Sequence, residues 1–90
     1  MSEPDRLLIP TIHVNGTSRE NLIEHYADAM AAMLVAIAAV QHAAPDGRDY
    51  YPQGPDAINV ALEQHQERID KLTSIIWDLD RICAEIAEAL

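Results

Sequence analysis

Apolar residues fall into three patterns along this chain, and each pattern predicts a different element. From Ala29 to Val40 they run without a break, Ala-Met-Ala-Ala-Met-Leu-Val-Ala-Ile-Ala-Ala-Val, with Asp28 before the run and His42 just after it. A helix that is apolar all round has to be covered on several sides. Leu22, Tyr26, Met30, Met33, Ile37, Val40 and Ala44 follow steps of four and three and define one seam. Asp28, Ala31, Val35, Ala38 and His42 form a second line on the opposite side, small and apolar between polar ends. Two apolar faces need two neighbours, and the alanines admit one of them closely, toward the short end of the usual separation of about 8 to 10 Å.

The second pattern is a heptad. Ile58, Leu62, His65, Ile69, Leu72, Ile76, Leu79, Cys83, Ile86 and Leu90 alternate steps of four and three, and Ala61, Ile75, Ile82 and Ala89 widen the stripe. Glu63, Gln64, Glu67, Asp70, Lys71, Asp78, Arg81, Glu85 and Glu88 make the opposite face, whose natural partner is water. The third pattern is short. Leu7, Leu8 and Ile9 precede Ile12 and Val14, with Pro10 forbidding a central-strand role, so this stretch reads as an extended arm on a helical surface, with edge-strand pairing between arms as the alternative.

Punctuation sets the boundaries. Thr17 followed by Glu20 fits a capping box, and Pro45 stops the first helix. Pro45-Asp46-Gly47, Pro52, Gly54 and Pro55 then prevent regular structure, and Pro55 with Asp56 suits a helical first turn. The expected chain is all-α and a single domain: an extended arm over 1–16 with a frayed start over 1–5, a helix over 18–44, a loop over 45–54 and a helix over 55–89. The two helices fold back as an antiparallel hairpin, and hairpins associate into an oligomeric bundle. Because the second helix is the longer, Ile82, Cys83, Ile86 and Leu90 overhang, and the arm, from the same chain or a neighbour, is their cover.

Composition narrows the function. A monomer of 90 residues leaves about 40% of the unfolded chain's surface exposed, so a core drawn from Ile, Leu, Val, Met and Ala, with no Phe and one Trp, is thin. A net charge of −9 with scattered basic residues excludes a grip on a nucleic-acid polymer, though not on one small anion. The lone Cys83 forms no intrachain disulfide and no signal segment is evident, so the cytoplasm is the expected compartment. The apolar run is shorter than the roughly 20 residues that span a bilayer, so no membrane partner is expected.

Candidate chemistry is sparse. No Glu-x-x-His pair suits a di-metal bundle; His25 and Asp28 lie one turn apart, and no metal or other cofactor is expected. His42 suits the negative end of a helix dipole, and His65 on the seam reads as a hydrogen-bonded residue that fixes register. Arg48-Asp49-Tyr50-Tyr51 reads in two ways. It is a recognition loop in which Arg48 grips an anion and the tyrosines stack, or Arg48 pairs with Asp46 or Asp49 and the tyrosines pin the loop. Cys83 is a seam residue rather than a thiol beside a base, and no Ser, His and carboxylate set can be assembled, so no enzyme is expected. Asn15-Gly16-Thr17 matches a glycosylation sequon but, lacking a secretory signal, reads as a turn and a cap.

Two segments, Ile12-His13-Val14-Asn15-Gly16-Thr17-Ser18 and Gly47-Arg48-Asp49-Tyr50-Tyr51-Pro52-Gln53-Gly54, resemble those of small helical-hairpin proteins encoded by phages and prophages, with the same order of arm, helix, loop and helix. The resemblance carries over no site residue. It implies an accessory viral protein, a class that includes oligomeric anti-defence sponges sequestering nucleotide immune signals between protomers. The resulting expectation is a non-enzymatic homo-oligomer, with Ala31, Val35, Ala38, Ile75, Trp77 and Ile82 at its interface. It would bind a nucleotide-like ligand through His13, Asn15, Arg48, Tyr50 and Tyr51, and through Thr17 if capping leaves its hydroxyl unused. The alternative is a structural or adaptor protein that receives a helix of a host partner on the heptad face.

Overall fold

The computed structural model describes residues 7–88; the frayed start expected for 1–5 and the stripe positions Ala89 and Leu90 lie outside them. Two long helices pack together as a hairpin, α1 at Arg19–His42 and α2 at Ala57–Glu88. Among the described residues there is no strand.

Each boundary has a local cause. Ser18 caps α1, its hydroxyl oxygen accepting from the Asn21 amide at 3.1 Å, so the cap falls one residue later than Thr17. The third helical residue is then Asn21, not Glu20, and the reciprocal carboxylate of a capping box is missing. At the other end the Ala43 amide donates to the carbonyls of Val40 and Gln41, which tightens the last turn and ends α1 at His42 rather than Ala44. The second helix starts at Ala57 instead of Pro55, with the amides of Asn59 and Val60 both reaching the carbonyl of Asp56. Within α2 the Thr73 hydroxyl donates to the Ile69 carbonyl at 2.9 Å, while Gln66 with Asp70 and Arg81 with Glu85 pair along the wet face.

Packing follows the seams. Leu22, Tyr26, Met30, Met33, Ile37 and Val40 are all half-buried, with Ile23, Ala29 and Ala36 beside them. On α2 the buried residues are Ala61, Ile69, Ile82 and Ile86. Leu62 departs from the heptad reading, being 44% exposed while Ala61 beside it is buried. A straight helix drifts by about 20° per heptad, which along the line Leu62, Ile69, Ile76 and Cys83 turns Leu62 furthest from α1, while Ile58 stays half-buried.

The overhang is covered. At 1.5 Å per residue α1 spans about 36 Å and α2 about 48 Å, so the last turns of α2 run past the start of α1. There Ile86 is 0% exposed and Ile82 9%, so residues of the same chain enclose them. Residues 7–13, which form neither helix nor strand, show a matching burial pattern: Leu7, Ile9, Pro10 and Ile12 are half-buried and Leu8 is exposed. This corrects the expectation for Ile82, whose side chain is consumed within its own chain and is not available to a neighbour.

Among the described residues four are buried, Ala61, Ile69, Ile82 and Ile86, and they make a small core. The molecule is a rod, 61 × 32 × 18 Å, with a radius of gyration of 18.6 Å where a compact chain of this length has about 12 Å. Its accessible surface is 6916 Å², roughly a third above the about 5,200 Å² of a compact monomer of its mass. By length and composition α1 is apolar enough to cross a membrane, with a mean hydropathy of 1.5 over its best window. Between Asp28 and His42, however, its uncharged stretch is only about 20 Å long, against a hydrocarbon thickness of about 30 Å.

Ser18→Ala should cost about 1 kcal/mol in urea unfolding, by loss of the cap, while Thr17→Ala leaves the midpoint unchanged. Ile86→Ala should cost roughly 2 to 5 kcal/mol in the same measurement, because the site is fully enclosed.

Candidate functional site

The exposed chemistry gathers at the two ends of the rod. At one end His13 to Gly16 form a tight turn, the Gly16 amide donating to the His13 carbonyl at 3.0 Å. The His13 ring lies across Gly16 so closely that a Cβ there would stand 2.7 Å from Nε2, which makes glycine the residue that lets the imidazole settle on the turn. Val14 is 95% exposed at the tip, and His13, Asn15 and Thr17 are exposed around it. Since Ser18 caps α1, the Thr17 hydroxyl is not used for capping and stays available to a ligand.

The opposite end is the loop between α1 and α2. It is built from two 3-10 turns, Gly47–Asp49 and Tyr51–Gln53, the second packing on α2. Asp46 organises the first turn. One of its carboxylate oxygens accepts from the Arg48 amide at 3.0 Å, and the other stands 3.8 Å from the Arg48 Nε. That ion pair is long and both side chains are mostly exposed, at 81% and 53%, so it holds Arg48 only loosely. Tyr50 is half-buried, whereas Tyr51 is 73% exposed. The two readings of this segment thus divide by residue: Asp46 and Tyr50 act structurally, while Arg48 and Tyr51 face water with unused donors and an open ring. Gly54 closes the loop at φ 121° and ψ 165°, where an L side chain is strained.

These two ends are far apart. The length of α1, about 36 Å, separates His13, Asn15 and Thr17 from Arg48, Tyr50 and Tyr51, so one chain does not bring the six residues into one site.

Between the ends lies the apolar surface that the hairpin leaves uncovered. Not one residue of α1 is buried. Ala31, Val35 and Ala38 are exposed, Val35 at 71%, and on α2 Ile75 and Trp77 are 45% and 70% exposed. Leu34 at 60% and Val60 at 52% are exposed as well, although neither lies on a seam singled out from the spacing. The unbroken run Ala29 to Val40 is the signal that would have found Leu34, since an all-apolar helix has no position that prefers water.

The histidines are dispersed. His65 is half-buried on the seam, and among the described residues no protein group bonds its ring, so the expected internal hydrogen bond is replaced by access to water. His25 and Asp28 are both exposed on α1.

Gly54→Ala should destabilise the hairpin by about 1 to 3 kcal/mol in chemical denaturation, because of its positive φ. Gly47→Ala, where a Cβ meets nothing within 4 Å, should be tolerated.

Comparison with protein-family models, with curated proteins and with solved structures finds no match to this chain.

Proposed function

We propose that this chain is a non-enzymatic homo-oligomer in which α1 is the central helix, and that it holds a small nucleotide-like ligand at sites shared between protomers. The observation that carries this reading is the exposure of α1, a helix of 24 residues with none buried although its middle is uninterruptedly apolar. Contiguous apolar surface of this extent marks an interaction site. Burying Val35, Leu34 and Trp77 against other copies removes it. In the assembly residues 7–16 act as an arm strapped along the end of the bundle, in keeping with the enclosure of Ile82 and Ile86.

The ligand half of the proposal draws on what the ends present. Arg48 offers a planar anion-binding fork, Tyr51 a stacking surface, and His13, Asn15 and Thr17 directional hydrogen bonds. Because the two groups are about 36 Å apart within a chain, only a second protomer can unite them. A protein so built removes a nucleotide signal from solution by binding it, as an accessory phage protein acting against a host defence would, with the cytoplasm as its place of work.

A second reading, an adaptor receiving a partner helix on α2, draws on the 70% exposure of Trp77. Against it stands the condition of the heptad face, where Ile69, Ile82 and Ile86 are already buried and leave no continuous groove.

Sedimentation at micromolar concentration should give an oligomer, and Val35→Asp, by setting an unpaired charge in an apolar contact, should dissociate it; a folded monomer in the parent protein would sink the reading. Thermal unfolding against a panel of cyclic and linear nucleotides should show one that stabilises, by about 2.7 kcal/mol at a hundredfold excess over its Kd. Arg48→Ala should abolish that shift. A flat response across the panel transfers the weight to the adaptor.

A further inference from the structure

We propose that two copies of this chain pair antiparallel through the outer stripe of α1, about a two-fold axis at Val35, so that the N-terminal end of each meets the loop end of the other. This rests on the self-assembly proposed above and adds its orientation and register.

The stripe Glu24, Asp28, Ala31, Val35, Ala38 and His42 follows steps of four and three, and all of its members are exposed. Its charge is one-sided. Glu20, Glu24 and Asp28 all lie in the first half of α1; no carboxylate follows in the helix, which ends on His42, and in the loop beyond it Arg48 stands between Asp46 and Asp49. Parallel pairing would set Glu24 and Asp28 against their own copies in a chain that already carries a net charge of −9. Like charges so opposed are destabilising, whereas an antiparallel arrangement takes Asp28 of one helix away from its own copy and toward His42 of the other. Opposed helix dipoles favour the same choice.

Register follows from the spacing. Val35 lies midway between Asp28 and His42, so an axis at Val35 brings each Asp28 beside His42 of the second copy, where an imidazole N–H can donate to the carboxylate. Ala31 and Ala38 flank the axis and allow the backbones to approach closely.

This pairing completes the site that one chain leaves in halves. With the axis at Val35, the start of α1 in one copy stands about 24 Å from the axis and the end of α1 in the other about 10 Å, so the turn carrying His13, Asn15 and Thr17 projects past that helix end on the side where the loop carries Arg48 and Tyr51. Two equivalent sites result, each with an anion contact, an aromatic ring and hydrogen-bonding groups for a mononucleotide or dinucleotide.

Cysteine crosslinking in a Cys83→Ala background tests the geometry. Under mild oxidation Val35→Cys should form a disulfide-linked dimer by itself. Asp28→Cys and His42→Cys, about 21 Å from their own copies, should form none alone and a heterodimer when mixed. If Asp28→Cys and His42→Cys each crosslink alone, the helices are parallel and the proposal is overturned. If Val35→Cys stays uncrosslinked in a sample that sediments as an oligomer, this stripe is not the interface and the pairing falls while self-assembly stands; a monomer would remove both. Charge gives an independent measurement that needs no cysteine. Asp28→Lys should weaken dimerisation at least tenfold, and adding His42→Asp to the same chain should restore it; no recovery in the double variant would refute the contact.

Discussion

The structure depends on a mismatch between apolar surface and available cover. A helix that is apolar on every side requires neighbours on more than one side, and among the helices of the described residues α1 packs against α2. The consequence is visible in burial: of the described residues, the four buried ones all lie on α2 and none on α1. Helix α2 can be half wet because its outer face carries Glu63, Glu67, Asp70, Lys71, Arg81 and Glu85. Helix α1 has no such face between Ala29 and Val40, so the water around Val35 and Leu34 is what association would displace.

The hairpin's second constraint is length. The longer α2 needs extra cover where it overhangs α1, and the complete burial of Ile86 identifies that end as the best-packed part of the molecule. Ile82 makes the same point. It lies further round α2 from the seam than the exposed Ile75, yet it is buried, so α1 alone does not account for it. The rod is thus best enclosed at the end where α2 overhangs, and its loop end is held by the capped turns, while Val35 and Leu34 in the middle of α1 stay uncovered.

That arrangement separates rigidity from recognition. Polar groups suited to a ligand are on short, hydrogen-bonded turns at the two extremities: His13 seated on Gly16, and Arg48 above an Asp46-capped turn. Each turn is fixed locally by one or two bonds and does not rely on the assembly. What the assembly would decide is whether the two sets face one another, which makes orientation of the helices, rather than their existence, the variable on which any shared site depends.

Residue spacing by itself determined the two helices, the seam of α1 from Leu22 to Val40, the wet face of α2 and the exposed line Ala31, Val35 and Ala38. These follow from the helical period and the positions of Pro45 and Gly54, which are local properties of the chain. Tertiary structure decided four things that period alone left open. Ser18 rather than Thr17 became the cap, its hydroxyl oxygen accepting from the Asn21 amide. Leu62 lost its seam role to Ala61 through drift between heptad and helix. Ile82 was taken inward by its own chain, and the six expected ligand residues were divided between opposite ends by the length of α1. The burial of Ile82 and the separation of the ligand residues depend on where a second segment lies in space, whereas the cap is fixed by a local bond. Sequence period describes the face of one helix; it carries no information on what stands opposite that face.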